Sequence, residues 1–159
     1  MEQRFSDVTI RAATNRDIEK ITALVYDALR EHGLPPDPEW TDADLKDIEE
    51  NYLKIGGTFE VIEDVAGNLV GTVGLYPMDA ETCELRKMYF APQVRGRGLG
   101  LYILERAVNR ARERGFKKMT LETSSRLEKA VKLYTRFGFQ PYEKQHRSIR
   151  SDQAYFLEL

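Results

Sequence analysis

The sequence is poor in the residues that make disulfide bridges and metal sites. Its 159 residues include one cysteine, Cys83, and two histidines, His32 and His146. One cysteine excludes an internal disulfide and a paired-cysteine zinc site, and two histidines are too few for a histidine metal cluster. No apolar run approaches the ~20 residues of a membrane span, and the N-terminal residues do not look like a signal peptide. We therefore expect a cytoplasmic protein with no metal and no membrane partner.

An excess of positive charge is also missing. The 24 lysines and arginines stand against 26 aspartates and glutamates, for a net charge of −2, which argues against a strongly basic nucleic-acid surface. The hydrophobic content of 42% is ordinary for a soluble globular protein. Because there is no repeat, low-complexity segment or linker, we expect a single domain over residues 1–159.

Hydrophobic periodicity and turn residues predict a chain that mixes strands and helices. The predicted strands are 8–12, 59–65, 69–75, 83–90, 118–123, 139–142 and 154–159. The predicted helices end at about Gly33, Lys54, Arg114 and Gly138. Ser124 or Ser125 is expected to cap the last of these helices.

The segment between the first two predicted helices carries the only tryptophan. Three prolines within residues 34–40 predict a stiff, extended loop. Trp40, at its end, either serves a substrate-side lid or packs into the core, and we expect packing. Thr41 can cap a helix through Lys54, whose acidic face is most simply a solvated surface and alternatively a contact for a cationic substrate. The acidic residues are Asp42, Asp44, Asp47, Glu49 and Glu50.

Residues 84–104 organise the chain, because they combine a strand, a glycine-rich turn and the start of a helix. Pro92 ends the strand, since proline has no N–H for the ladder. Gly96, Gly98 and Gly100 follow, and glycines at a helix start cost roughly 1 kcal/mol each relative to alanine. A bound anion would offset that cost.

A phosphate is the anion that this turn suits best. A helix N-terminus carries unpaired N–H groups and partial positive charge, and glycines let a phosphate approach the backbone. We expect the main-chain N–H groups from Arg95 to Leu101 to bind it, with added charge from Arg95 and Arg97. The candidate phosphate-binding residues are Arg95, Gly96, Arg97, Gly98, Leu99, Gly100 and Leu101. A glycine-rich surface turn without a ligand is the alternative.

The strand before this turn predicts a β-bulge. Cys83 and Leu85 share one face by alternation, whereas Met88 and Phe90 have the other parity. All four can face inward only if the phase slips by one residue near 86–87, which is what a bulge does. A strand buried on both faces is the alternative. A bulge would leave N–H groups unpaired near residues 88–90.

Two motifs give the chain a family resemblance. The turn lacks the last glycine of a dinucleotide fingerprint and the Gly-Lys-Ser/Thr of a P-loop. Arg95-x-x-Gly98-x-Gly100 before an amphipathic helix, followed by Ala130-x-x-x-Tyr134-x-x-x-Gly138-Phe139, resembles the GCN5-related N-acetyltransferase (GNAT) family. With the preceding helices and hairpin in the family's order, the resemblance spans essentially the whole chain.

The resemblance implies the acyl-CoA N-acyltransferase fold, an α+β (three-layer α/β) domain. Its mixed, mostly antiparallel sheet has six or seven strands with about four helices. The strands at 83–90 and 118–123 are expected to splay apart, with acetyl-CoA entering the gap. Main-chain groups at Met88, Tyr89 and Phe90 are then expected to bind the pantetheine arm and the thioester oxygen.

The resemblance also implies catalytic roles. Tyr134 matches the tyrosine that protonates the leaving thiolate, and a phenol suits that task; its spacing alone favours a core residue. Glu84 is the first candidate for the base, and Glu122 the second, although either can be an ion-pair partner or a substrate anchor. Many members have an asparagine where Leu127 stands and a polar residue where Leu101 stands, so cofactor contacts there can be weaker.

We therefore expect an acyl-CoA-dependent N-acetyltransferase that works by direct transfer to a primary amine, with acetyl-CoA as cosubstrate. The amine most simply belongs to a small molecule, such as an amino acid, polyamine or antibiotic. A protein or peptide N-acetyltransferase and a CoA-binding sensor without turnover are the alternatives. An acyl-cysteine route through Cys83 is disfavoured, because no histidine lies nearby in sequence. The family makes a homodimer possible.

Overall fold

A computed structural model describes residues 5–145 and 147–159, so His146 and the first four residues lie outside it. Seven strands form one sheet in the order β1-β2-β3-β4-β5-β7-β6. The strands are β1 (Val8–Ala12), β2 (Thr58–Asp64), β3 (Leu69–Pro77), β4 (Thr82–Phe90), β5 (Lys118–Thr123), β6 (Gln140–Pro141) and β7 (Gln153–Glu158). The α-helices are α1 (Ile18–Glu31), α2 (Leu99–Glu113) and α3 (Glu128–Phe137). The predicted mixed sheet is confirmed.

The sheet divides where β4 meets β5. These two strands run parallel, while the other neighbouring pairs are antiparallel. Their register runs from Thr82↔Lys118 to Glu84↔Thr120, and within the described chain no further residues of the two strands pair. The predicted splaying is thereby confirmed, and it opens a gap in the middle of the sheet.

The core lies on both faces of the sheet. Alternation puts Ile62 in the cluster that contains α2 and Val61 in the cluster that contains α1. The α2 cluster includes Ile103, Leu104 and Val108, and it also holds the inward face of β4. Each amphipathic helix therefore covers one face, which gives three layers. No helix formed by the described residues combines the length and hydrophobicity that a bilayer span requires.

The predicted helix from Thr41 to Lys54 is wrong. The structure has a 3₁₀ turn over Ala43–Lys46 and a π-helical turn over Glu49–Leu53. Between them Asp47 is extended, with φ −154° and ψ 93°, and its carboxylate accepts a hydrogen bond from the Glu50 N–H at 3.0 Å. Such aspartate side chains compete with helical hydrogen bonding, so the helix is interrupted.

The predicted serine cap of α3 is also wrong. The helix begins at Glu128 after Leu127, whose side chain makes no capping hydrogen bond. Ser125 instead donates its hydroxyl to Asp152 at 2.6 Å, while the Ser124 hydroxyl accepts from the Arg126 N–H at 3.2 Å. The Ser125 side chain, which the local sequence predicted as a helix cap, therefore bonds to a residue distant in the chain instead.

Candidate active site

A cavity of about 800 Å³ lies at the gap between β4 and β5. Residues from most of the chain line it, in five groups. Four of the groups come from the segment Leu34–Asp44 with the preceding end of α1 (Ala28–His32), from β4 between Glu84 and Phe90, from the glycine loop, and from β5 and α3; the fifth comes from the loop between β6 and β7. The splayed strands thus form a cleft that reaches both the bulge and the start of α2.

The β4 bulge is confirmed. The register passes from Thr72↔Tyr89 to Gly74↔Arg86, so Lys87 and Met88 together oppose one residue of β3. Lys87 has a φ of 54°, a left-handed conformation that costs a non-glycine residue about 1–2 kcal/mol. The buried Thr72 hydroxyl donates to the Lys87 carbonyl oxygen at 2.7 Å and holds the bulge in place.

The bulge turns the next residues toward the cavity. Met88 and Phe90 pack against the same core cluster as Cys83 and Leu85, as the predicted change of phase requires. Tyr89 also lines the cavity, together with its two neighbours. A bulge leaves part of its backbone without strand partners, so this segment can offer N–H donors to a ligand.

The glycine loop leaves space at the start of α2. Gly96 and Gly98 have φ values of 78° and 83°, in the left-handed region that favours glycine. A Cβ added at Gly96 would meet nothing within 4 Å, so the space beside it is open. The helix begins at Leu99, and its first N–H groups have no acceptor within the helix. The loop therefore fits a phosphate.

The two arginines of this loop make contacts within the protein. Arg95 donates to the Phe90 carbonyl oxygen at 2.7 and 2.9 Å and pairs with Glu31 at 2.5 Å. Arg97 pairs with Asp7 at 2.7 Å. Of the predicted phosphate-binding residues, Arg97 and Leu101 lie outside the cavity lining. The expected extra charge is thus neutralised by carboxylates, and the loop backbone is the better candidate.

Tyr134 lies both in the core and at the cavity. It is 6% exposed, belongs to the α2 core cluster and lines the cavity. Its ring contacts Phe139 edge-on, at 5.7 Å between centroids. Within the described chain its hydroxyl has no hydrogen-bond partner, which leaves it available to a ligand. Burial, reinforced by the nearby Tyr89 phenol, raises the pKa of Tyr134 above its ordinary value, so the phenol keeps its proton at neutral pH.

Glu84 and Glu122 lie close together on either side of the gap. Both pair with Lys144, whose Nζ lies 3.4 Å from Glu84 and 2.5 Å from Glu122. Glu84 also accepts from Arg86 Nε at 2.5 Å, and Glu122 accepts from the Ser148 N–H at 2.8 Å. Although burial opposes the charge on Lys144, its hydrogen bond to Glu122 and the Glu84 charge raise its pKa. The sequence analysis named both candidate bases, and the fold brings them together. No sequence pattern indicated that Lys144 would lie between them.

Trp40 is not in the core, contrary to expectation. It is 84% exposed and lines the cavity. The residues on either side of Trp40 are fixed by hydrogen bonds. The Asp37 carboxylate accepts from both the Thr41 N–H at 3.0 Å and the Thr41 hydroxyl at 2.6 Å. The neighbouring polar groups anchor this segment, and the indole is left exposed at the cavity.

A buried cluster of charges lies beneath this segment, and the sequence analysis missed it. Asp42, expected on a solvated face, is 1% exposed. Arg150 donates to its two oxygens at 2.6 and 2.7 Å, and Lys87 Nζ lies 3.2 Å away. Despite burial, which opposes ionisation, the Arg150 hydrogen bond and the Lys87 charge hold the pKa of Asp42 below its usual value. These residues are far apart in sequence, so no local pattern signals the cluster.

The Asp44 carboxylate completes this cluster. Tyr52, which is fully buried, donates its hydroxyl to Asp44, and Lys87 Nζ lies 3.3 Å from the same carboxylate. Burial and the Asp44 charge raise the pKa of Tyr52. Two carboxylates therefore face two cations in the cluster, which balances its charge.

Comparison with known proteins gives one consistent result. The model of the acetyltransferase (GNAT) family matches residues 21–139. An uncharacterized N-acetyltransferase of Escherichia coli (strain K12), YjgM, is 36% identical over 136 residues, which are 82% of this chain and 81% of that protein.

Solved structures show the same fold. A GNAT-family acetyltransferase from Staphylococcus aureus Mu50 superposes with a TM-score of 0.89 at 22% identity, covering 95% of this chain and 98% of that one. A phosphinothricin acetyltransferase from Sinorhizobium meliloti, in complex with AcCoA, has a TM-score of 0.73 at 19% identity, covering 96% and 89%.

Proposed function

The chain belongs to the GNAT acetyltransferase family, and on that premise we propose that it moves an acetyl group from acetyl-CoA to a primary amine on a small molecule by direct transfer. One observation carries the proposal. The open glycine loop at the start of α2, the β4 bulge and the Tyr134 side chain all line one cavity. A single domain over residues 1–159 would contain the whole site.

The donor is proposed to bind along the bulge and the glycine loop. The open space at Gly96 and the first N–H groups of α2 suit the diphosphate. The backbone at Met88–Phe90 would lie beside the thioester, where N–H donors near the developing oxyanion supply about 3–4 kcal/mol. The structural relative from S. meliloti was solved with AcCoA, which supports this choice of donor.

Acyl transfer then needs a base and an acid. The base takes a proton from the ammonium form of the amine, so that the neutral nitrogen can bond to the thioester carbon; Glu84 is our first candidate for this base and Glu122 our second. As the carbon–sulfur bond breaks, the sulfur takes a proton from the Tyr134 hydroxyl, and the proton that the nitrogen loses in becoming an amide nitrogen restores the phenol. No acyl-enzyme is needed, and burial raises the pKa of the Cys83 thiol to about 12, which disfavours that thiol as a nucleophile.

The direct test is release of free CoA thiol from acetyl-CoA across a panel of amino acids, polyamines, aminoglycosides and peptides. Amine-dependent release with a small molecule is the expected result. Release only with peptides would favour a peptide N-acetyltransferase. Binding of acetyl-CoA with no release from any amine would favour a sensor, and failure to bind it would remove the proposal.

Binding at the glycine loop has its own test. About 100 Kd of CoA should stabilise the protein by about 2.7 kcal/mol and raise Tm by roughly 5–10 °C. Gly96→Ala should abolish most of this shift, because its methyl group enters the open space that we assign to the diphosphate. Differential scanning fluorimetry with and without CoA measures the effect.

Gly115 provides the matched control for this test. It has a φ of 87°, and a Cβ there would also meet nothing within 4 Å, but it follows the far end of α2. Gly96→Ala and Gly115→Ala should lose similar stability without CoA, roughly 1–2 kcal/mol. Equal CoA shifts in the two variants would contradict the assignment.

The choice of base can be decided by pH dependence. Removing the base should matter less as pH approaches the pKa of the amine, about 10.4 for a lysine-like acceptor, because the free amine then needs no base. Glu84→Gln should therefore lower kcat strongly near pH 7 and weakly near pH 10. The same profile for Glu122→Gln alone would transfer the role to Glu122, whereas a pH-independent loss would indicate an ion-pair role.

A further inference from the structure

Lys87 is an unexpected residue for its backbone position. Its φ of 54° is the one positive φ among the non-glycine residues of the described chain, and glycine or asparagine adopts that conformation at a lower cost. A bulge needed only to bend β4 would be served by either of those residues. The contacts of the lysine side chain therefore call for an explanation beyond the bend in the strand.

The Lys87 ammonium connects β4 to the segment that carries Trp40. Its Nζ lies 3.2 Å from the Thr41 carbonyl oxygen and 3.2 Å from carboxylate oxygens of both Asp42 and Asp44. The Lys87 and Asp42 side chains are 5% and 0% exposed. Because these contacts are buried, salt and water screen them little.

Asp42 extends this connection to a second loop. Arg150, in the loop between β6 and β7, donates to both of its oxygens, and its side chain is only 7% exposed. Asp42 also accepts from the Asp37 N–H at 2.9 Å. The bulge, the proline-rich loop and the loop after β6 therefore meet at one buried carboxylate.

These three segments all contribute to the lining of the cavity. Met88 to Phe90, directly after Lys87, form its wall at the bulge, and Trp40, Thr41 and Asp44 form a second wall in the proline-rich segment. On the proposed function, the first wall holds the thioester and the second faces the amine. The distance between the walls then sets the distance between the reacting atoms.

We propose that Lys87 is a positioning residue for acyl transfer, which fixes the donor wall at Met88–Phe90 against the acceptor wall at Trp40–Asp44. The inference rests on the proposed function, because that function assigns the two walls. Lys87 touches neither reacting atom; it acts through the backbone that it ties down. A misplacement of ~1 Å between reacting groups can lower turnover up to 100-fold. Removing the Lys87 ammonium is therefore expected to lower kcat by a factor between 1 and about 100.

Replacing Lys87 with methionine keeps most of the side-chain volume and removes the ammonium. We expect kcat with the best amine to fall about fivefold, while CoA affinity changes less than twofold. Both are measured at a temperature where circular dichroism shows the variant to be fully folded. A merely structural lysine would lower Tm and leave kcat unchanged, which would overturn the inference.

Three further variants support this test. Glycine suits a φ of 54°, so Lys87→Gly should fold even if the methionine variant does not, and it should show the same loss of kcat. Lys87→Arg keeps a cation and should recover part of kcat. Lys46→Met is the matched control, because Lys46 pairs with Glu39 at 3.1 Å in the same segment but is 57% exposed; its kcat should be unchanged.

Fluorescence gives a readout that does not need turnover. Trp40 is the only tryptophan, and saturating CoA should change its emission in the wild type but not in Lys87→Met. If the wild type turns over, the change in kcat tests the role of Lys87. If the wild type binds CoA without turnover, the change in fluorescence tests it. A fully active Lys87→Met variant with a normal fluorescence response to CoA would contradict the positioning role of Lys87 and leave the proposed acetyl transfer unaffected. A wild type that neither binds CoA nor releases thiol removes both.

Discussion

Replacing Asp42 with asparagine should lower the free energy of unfolding by about 3–5 kcal/mol, the usual result when one partner of a buried ion pair is removed. Asp42 faces Arg150 and Lys87, whose side chains are 7% and 5% exposed. Asparagine keeps the shape but leaves these cations without the carboxylate. Urea unfolding at pH 7 measures the loss, and Tm should fall by roughly 10 °C.

The stability lost in Asp42→Asn should become smaller as the pH falls. The folded-state pKa of Asp42 is below its usual value, so its contribution is present above the unfolded pKa of about 3.9 and is lost as pH falls through the folded pKa. The gap between the wild type and Asp42→Asn should therefore narrow below about pH 4. The exposed Glu39–Lys46 pair supplies the control, since Glu39→Gln should change stability little. An unchanged stability of Asp42→Asn at pH 7 would contradict this account of the cluster.

Tyr134→Phe should lower kcat at least tenfold with little change in the affinity for CoA. The phenylalanine keeps the ring contact with Phe139 but removes the hydroxyl that we assign as the acid for the leaving thiolate. General acids contribute about 100- to 10,000-fold in rate, and water can replace part of that. Steady-state kinetics with the best amine and calorimetric titration with CoA measure the two quantities.

Two other tyrosines make this prediction specific. Tyr155 is 8% exposed in the same core cluster and lies outside the cavity lining, so Tyr155→Phe should leave kcat unchanged. Tyr89 lines the cavity near Tyr134, and Tyr89→Phe tests whether it is the acid instead. Unchanged turnover in Tyr134→Phe would remove the acid role, and a loss confined to Tyr89→Phe would transfer it.

Much of the fold could be predicted because its signals are local. Strand β5 was predicted with its observed bounds, Lys118–Thr123, since period-two alternation and flanking turn residues mark it directly. The bulge in β4 was visible as a break in that alternation between Leu85 and Met88. The glycine loop was predicted because its glycines have a cost that an ordinary helix start does not explain.

Two of the failures have a common cause. Asp42 and Ser125 were each assigned by the chemistry of their neighbours in sequence, but their environments are set by residues far away in the chain. Asp42 was expected in water because acidic residues surround it, whereas Arg150 and Lys87 bury it. A charged residue can be buried where a partner compensates it, and sequence proximity does not reveal that partner.

The sequence by itself determined most of the strand and helix pattern, the bulge and the glycine-rich turn that we propose as an anion site, because each depends on side chains within a few positions of one another. Tertiary structure decided which carboxylates share Lys144, which wall of the cavity Trp40 occupies and why a lysine stands at a left-handed position. Those outcomes depend on charges and hydroxyls that meet only after the sheet has formed. Desolvation then makes the correct pairing necessary, because a buried charge without its partner is costly.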